Sequence, residues 1–291
     1  MTQTATRTRY QWFVRLWGAA ELFHIIGNPT EILRGSPAGV AQIVMLLLAG
    51  SILWKPHRTS LLALASLQLL VTIAKAPFLG NHEVILWLIS LCIVLSILVK
   101  GDDWLAAFVP AARTTLIIAY SFIAFSKLNT GFLDPSTSCA PILASEIGSM
   151  AGITILGNGP LSYLAIYGSL IAELAIPIML ITRARFGVAF ALGFHFILAL
   201  EPRGHIYDFS STLIPLFLLF LPDDVALEAE RRFGRLAQHI SQGNRPLLIG
   251  LLLLSVQLLL LITDLPNWLL AYPIWLVYGA GAFLVAFGYA R

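Results

Sequence analysis

The stretch EVILWLISLCIVLSILVK, residues 83–100, decides the fold class. Between Glu83 and Lys100 it carries no charge, and its apolar residues do not alternate with polar ones. Alternation over about ten residues would mark a strand of a membrane barrel; a continuous apolar run marks a helix solvated by lipid. Similar runs recur at 12–27, 37–54, 59–79, 114–128, 160–182, 186–200, 206–221, 246–263 and 267–290. Several are shorter than the roughly 20 residues a solitary span needs, which a bundle tolerates.

Composition agrees with that reading. The chain of 291 residues is 58% hydrophobic and 11% charged, with a mean hydropathy of +0.84; a soluble domain is about 25% charged. The sequence therefore reads as all-α, a polytopic integral membrane helix bundle of about nine or ten transmembrane helices. It has no internal repeat and forms one domain over 1–291. Residues 223–245 read as an amphiphilic cytoplasmic helix, opened by Asp223 and Asp224 and carrying Arg231, Arg232 and Arg235,. Two further spans follow over 246–291. The net charge of +3 is small and dispersed, which argues against a nucleic-acid partner. Cys92 sits in an apolar run and Cys139 in a polar loop, so no disulfide framework is expected,. The first apolar stretch contains Arg15, Glu21 and His24 and lacks a cleavage site, unlike a signal peptide,.

Basic residues set the expected orientation. With ten spans and an inner N-terminus, the inner segments hold Arg7, Arg9, Arg15, Lys55, Arg58, Lys100, Arg113, Arg183, Arg185, Arg245 and Arg291, with the arginines of 231–235. The outer loops hold only Arg34 and Arg203. The positive-inside rule then places both termini in the cytoplasm of a multi-pass inner-membrane protein. His24, Lys75, Asn81, His82, Lys127, His205, Tyr207 and Asp208 gather at the outer side, which becomes the expected chemical face.

Within that layer the stretch FSKLNTGFLDPSTSCAP, residues 125–141, stands out. Helical spacing puts Ala124, Ile123 and Tyr120 on the face of Lys127. A water-shielded amine there is placed to take a proton from an acidic hydroxyl. The plainer reading is a lysine at a helix end that bends its ammonium to the interface. Asp134 suits a turn that accepts backbone N–H bonds, and residues 142–153 suit a short interfacial helix containing Glu146. The stretch EPRGHIYDFSS, 201–211, reads as a tight loop with an Arg–carboxylate pair, or as a lid whose His205 or Tyr207 binds a polar ligand head. No HExxH sequence and no histidine pair at helical spacing marks a metal site. Glu21, Gln68, Lys75 and Glu173 are costly against lipid and should face the bundle or pair with one another, Lys75 with His82 or Glu83. Glu173 near mid-span also keeps a proton-coupled transporter in view, although neither an inverted repeat nor paired broken helices accompany it.

The run AYSFIAFSKLNTGFLDPSTSCA resembles the signature of the HTTM family, the membrane domain shared with vitamin K-dependent γ-carboxylases. GNHEVILWLISLCIVLS resembles that family's Asn-His span, and GFHFILAL followed by YDFSSTLIPLFLLFLP resembles its Phe-His helix and the span after it. The likeness covers roughly residues 10–222. It implies a membrane enzyme acting on a lipophilic, reduced quinone of the vitamin K kind. Lys127 would deprotonate the quinol, after which oxygen adds and a strong base removes a γ-proton from a peptide glutamate. His82 would be the proton partner, Asn81 would orient the turn and His195 would line the pocket; the residues themselves add Tyr120, Asn129, His205 and Tyr207 as expected pocket residues. Tyr120, Phe125 and Phe132 would wall an apolar ring site.

Two departures from the family shape the expectation. Ser126 stands where the carboxylases have the first lysine of a pair, and their large lumenal portion has no counterpart in these residues. Protein carboxylation is therefore not expected; a quinol-directed oxidation or another base-initiated step is, with a separate extracytoplasmic protein or peptide as partner. Short bacterial members of the family are associated with making secreted peptide toxins. A non-catalytic partner for maturation or export of such a peptide is thus the second expectation.

Overall fold

The computed structural model describes residues 3–27, 30–77, 79–150, 152–153, 157–201, 206–222, 224–225, 227–228, 276–283 and 286. All regular structure among them is helical. The helices are α1 (Gln3–Gly27), α2 (Thr30–Leu33), α3 (Pro37–Trp54), α4 (Arg58–Lys75), α5 (Asn81–Lys100) and α6 (Trp104–Ser126). They continue with α7 (Thr130–Leu133), α8 (Cys139–Met150), α9 (Pro160–Thr182), α10 (Ala184–Leu198) and α11 (Ile206–Leu218). Residues 276–283 are also helical.

Local chemistry explains several boundaries. Ser36 opens α3 by accepting the Gly39 N–H at 3.0 Å, and Pro37 takes a first-turn position where its missing N–H costs nothing,. Glu83 reaches back to the Gly80 N–H at 2.8 Å and so tightens the start of α5,. Gly101, with φ of +55°, ends α5 in a conformation that a side chain would strain,. One 3-10 turn at Gly101–Asp103 then sends the chain back as α6.

Four helical stretches among the described residues are long and apolar enough to cross a membrane: α3, α4, Glu83–Ser126 (α5 turning into α6) and α9. α10 and Asp208–Leu218 are shorter apolar helices. Large apolar side chains such as Leu70, Phe122, Phe125 and Ile171 lie exposed on the outside of the bundle, where lipid would meet them,. Trp17, Phe108, Tyr120 and Phe217 fill the interior. The molecule is a helical membrane bundle, as the apolar runs require.

Every apolar run from 12 to 221 coincides with a helix, but α1 begins at Gln3, not near 12, and α6 begins at Trp104, not near 114. Arg113 had the look of a span boundary, yet its guanidinium Nε donates to the Leu219 carbonyl at 2.9 Å and lies over the Phe220 ring. Arg9 donates likewise to the Leu221 carbonyl. Two arginines thus satisfy carbonyls just past the C-terminus of α11, where cations are favoured. The expected helix over 223–245 and span 246–263 lie almost wholly outside the described residues, as does most of 267–290.

Candidate functional site

Lys127 follows the last residue of α6, and its ammonium donates to Glu173 Oε1 at 2.7 Å. The Phe132 ring lies against the same ammonium, 4.9 Å from nitrogen to ring centre,. Glu173 is near the middle of α9, not at its end. The stretch of α9 from Pro160 to Glu173 therefore runs about 20 Å past the end of α6 at 1.5 Å per residue. α7 and α8 fill that space and pack on α9. The connection after Lys127, expected as an outer loop with one short helix, is in fact a helical layer of the bundle.

This layer encloses one side of a cavity of about 1030 Å³ between α8, α9 and α10. Its walls come from Ala140, Leu143, Ala144 and Ile147 on α8, a strip of small residues on α9, and Phe186, Phe190 and Phe194 on α10. Lys127 and Glu173 are the charged residues among those lining it. Glu173 is 7% exposed, and its second oxygen, Oε2, has no hydrogen-bond partner. A buried carboxylate oxygen with no donor is costly, and Oε2 carries almost no accessible surface of its own,. Cys139 brings a free thiol to the cavity wall and is exposed.

Asn129 is engaged elsewhere. Its Oδ1 accepts the Phe132 N–H at 2.9 Å, its Nδ2 donates to the Ser126 carbonyl at 2.6 Å, and it thereby staples α6 to α7. Asp134 caps the next corner by accepting the Ser136 N–H and hydroxyl, both at 2.8 Å. Those bonds favour the carboxylate and hold its pKa below the ordinary value,.

Tyr120 and His195 do meet, but not in the cavity. The Tyr120 hydroxyl bonds His195 Nε2, and both residues are almost fully buried. Ser210 Oγ donates to the His195 carbonyl at 3.1 Å and stands 3.4 Å from His195 Nδ1. With the serine proton committed to the carbonyl, Nδ1–H is the donor to Ser210 and Nε2 accepts the phenol proton. Phe194, Phe209 and Phe217 surround the imidazole. Neither Tyr120 nor His195 lines the cavity; both rings pack inward against Phe217 of α11. Phe125, two positions before Lys127, points away and is 72% exposed; Phe132 alone of the three expected ring-walling aromatics lines the cavity.

A second polar group joins α1 to α11. His24 Nδ1 lies 2.8 Å from Asp208 Oδ2, and Glu21, one turn earlier on α1, is fully buried with both carboxylate oxygens unpartnered. Lys75 pairs with Glu83 at 2.7 Å, as its spacing suggested. The 201–211 stretch is not a loop throughout: from Ile206 it is helical, and Asp208, Ser210 and Ser211 are buried in the bundle. Asp208 thus serves His24. His205 lies outside the described residues, and Asn81, His82 and Tyr207 are described only as helical backbone, at the starts of α5 and α11.

The Lys127–Glu173 pair is the site feature that sequence reasoning missed, because its members lie 46 positions apart and were assigned to different depths. The available signal was the cost of leaving each charge alone in a span. Among the described residues no group of histidine, cysteine, aspartate and glutamate is placed to hold a metal ion. No protein-family model, no curated protein and no solved structure matches the chain.

Proposed function

We propose that this protein is a membrane enzyme that binds a lipophilic quinol, or a similar small hydroxyl-bearing substrate, and starts base-initiated chemistry on it at the Lys127–Glu173 pair. The observation that carries the reading is the Lys127–Glu173 ion pair among the residues that line a large apolar cavity, with one buried carboxylate oxygen left without a hydrogen-bond partner. A small-molecule site has this make-up: mostly apolar walls and a few polar atoms that fix orientation. The order of segments resembling the HTTM family supports the same class.

The geometry supports a division of roles in which Glu173, and not Lys127 as expected from the sequence, is the base. An ammonium that donates to a carboxylate has no lone pair with which to accept a proton; the free carboxylate oxygen has. The substrate O–H bond breaks, its proton passes to Glu173 Oε2, and the electron pair stays on the substrate oxygen. Lys127, released from the neutralised carboxyl, then stabilises the oxyanion. The distribution of basic residues supports an orientation with both termini cytoplasmic and α8 on the extracytoplasmic side. Because Lys127 and Glu173 form one site, the base of the enzyme reading and the acid of the transporter reading coincide; loss of function in Glu173→Gln alone does not separate them.

The test uses the protein in nanodiscs with a naphthoquinol and its dimethyl ether, which has the same ring but no O–H. Wild type should bind the quinol in preference to the ether, and Glu173→Gln should abolish the preference. Equal binding of quinol and ether by wild type would overturn the assignment of Glu173 as proton acceptor.

A further inference from the structure

We infer that a second cavity, between α1, α11 and helix 276–283, is a site for one anionic phospholipid, whose phosphate meets Arg9 and whose acyl chain runs inward along α1. This site shares no lining residue with the Lys127–Glu173 cavity and does not rest on the reading of that pair.

Arg9, Trp12, Phe13 and Leu16 of α1 line this cavity. They follow the i, i+3, i+4, i+7 spacing of one helix face and cover about 10 Å of its length. Along that face the chemistry changes in order: a guanidinium, an indole with an apolar body and a polar N–H, then a phenyl ring and an aliphatic chain. A phospholipid runs in the same order from phosphate through glycerol to hydrocarbon, and amphipathic aromatic rings favour the level between the two. The other walls hold this register. Arg9 donates to the Leu221 carbonyl just past α11, and the Tyr278 hydroxyl donates to the Leu16 carbonyl at 2.9 Å, at the deep end.

Charge and shape select the occupant. Arg9 is the charged residue among the described residues that line the cavity. Its bond to a neutral carbonyl fixes the guanidinium without cancelling its charge, and a guanidinium fork matches a phosphate. Arg15, exposed on the same helix, lies deeper, where an arginine bends its charge back to headgroup level,. The cavity holds about 300 Å³, which suits one chain. Val277 on its wall is 76% exposed, so the cavity borders the outside of the bundle and a chain enters it from the bilayer. In the orientation proposed above this end is cytoplasmic, on the leaflet where anionic lipids set a negative surface potential.

Gly281 allows the chain and the head to be tested apart. It lines the cavity, and a Cβ there meets nothing within 4 Å, so a larger side chain enters the space that the acyl chain takes. The probes are phosphatidylglycerol and phosphatidylcholine with identical chains, each titrated into delipidated protein in detergent and counted on the intact protein by native mass spectrometry. Wild type should prefer phosphatidylglycerol about fivefold, the worth of one arginine at a headgroup. Arg9→Gln should abolish that preference and Arg9→Lys should keep it. Gly281→Leu should weaken both lipids about tenfold or more by displacing two or more methylenes, at an unchanged unfolding midpoint. Equal retention of the two lipids by wild type would overturn the contact between phosphate and Arg9. Undiminished retention by Gly281→Leu would overturn the cavity as the place of the chain, and displacement of the lipid by glycerol phosphate alone would assign the site to a soluble anion.

Discussion

Lys127 and Glu173 stand 2.7 Å apart, nitrogen to oxygen, although one closes α6 and the other lies midway along α9. That contact requires the two helices to be staggered, and the stagger creates the space that α7 and α8 occupy. The ion pair and the cavity thus have one structural cause.

Breaking the pair from one side leaves a charge in an apolar wall. Lys127→Met should destabilise the protein by about 2–3 kcal/mol, below the 3–5 kcal/mol of fully buried pairs because the lysine keeps some solvent access. The double variant Lys127→Met/Glu173→Leu should recover most of that loss while remaining unable to distinguish quinol from ether. Denaturant unfolding in detergent measures the first effect; a double variant no better than the single would deny the coupling.

Tyr120→Phe removes the donor to His195 Nε2 in a fully buried setting and should cost about 1–3 kcal/mol of stability. Ligand binding should stay nearly unchanged, because the phenol does not line the cavity. If Tyr120→Phe destroyed binding at wild-type stability, the residue would belong to the pocket, as its helical spacing from Lys127 suggests.

The corner at Asp134 carries a pH dependence. Its folded pKa is lowered by the Ser136 N–H and hydroxyl, so the carboxylate form favours the turn. That contribution is present above the unfolded value near 3.8 and is lost as pH falls through the lower folded one,. Protection of the Ser136 amide, taken relative to its intrinsic exchange rate, should accordingly hold at neutral pH and fall only below about pH 4. A transition at higher pH, or one that survives Asp134→Ala, would assign the effect to another group.

Cys139 and Cys92 should differ in reactivity. Cys139 is exposed on the cavity wall, whereas Cys92 is partly buried, 3.7 Å from the Thr115 hydroxyl. Maleimide should label Cys139 first, and bound quinol should slow that labelling; labelling indifferent to quinol would place the ligand elsewhere.

Particular residues show how far the sequence could be read. The run at 83–100 and its neighbours sufficed for a helical bundle, because in lipid the backbone has few other ways to satisfy its polar groups. Arg113 hid the first turns of α6, since a charge bound to carbonyls of another helix looks the same in sequence as one at an interface. The Lys75–Glu83 pair was legible because its members flank one short turn. Lys127–Glu173 and His24–Asp208 were not, because nothing local encodes which distant helices meet. Tyr120 shared the expected face with Lys127, but helical periodicity does not say which of two residues on one face a neighbouring helix will cover.

The measurement that tests the account most directly is quinol binding to the protein in nanodiscs, across pH, for wild type, Lys127→Ala, Glu173→Gln and His82→Ala. The account predicts saturable binding by wild type that is weakened to the level of the ether in Lys127→Ala and Glu173→Gln and is retained in His82→Ala. Binding that is absent from wild type, or identical in all four proteins, would contradict it and turn attention to a protein or peptide partner for the α7–α8 layer.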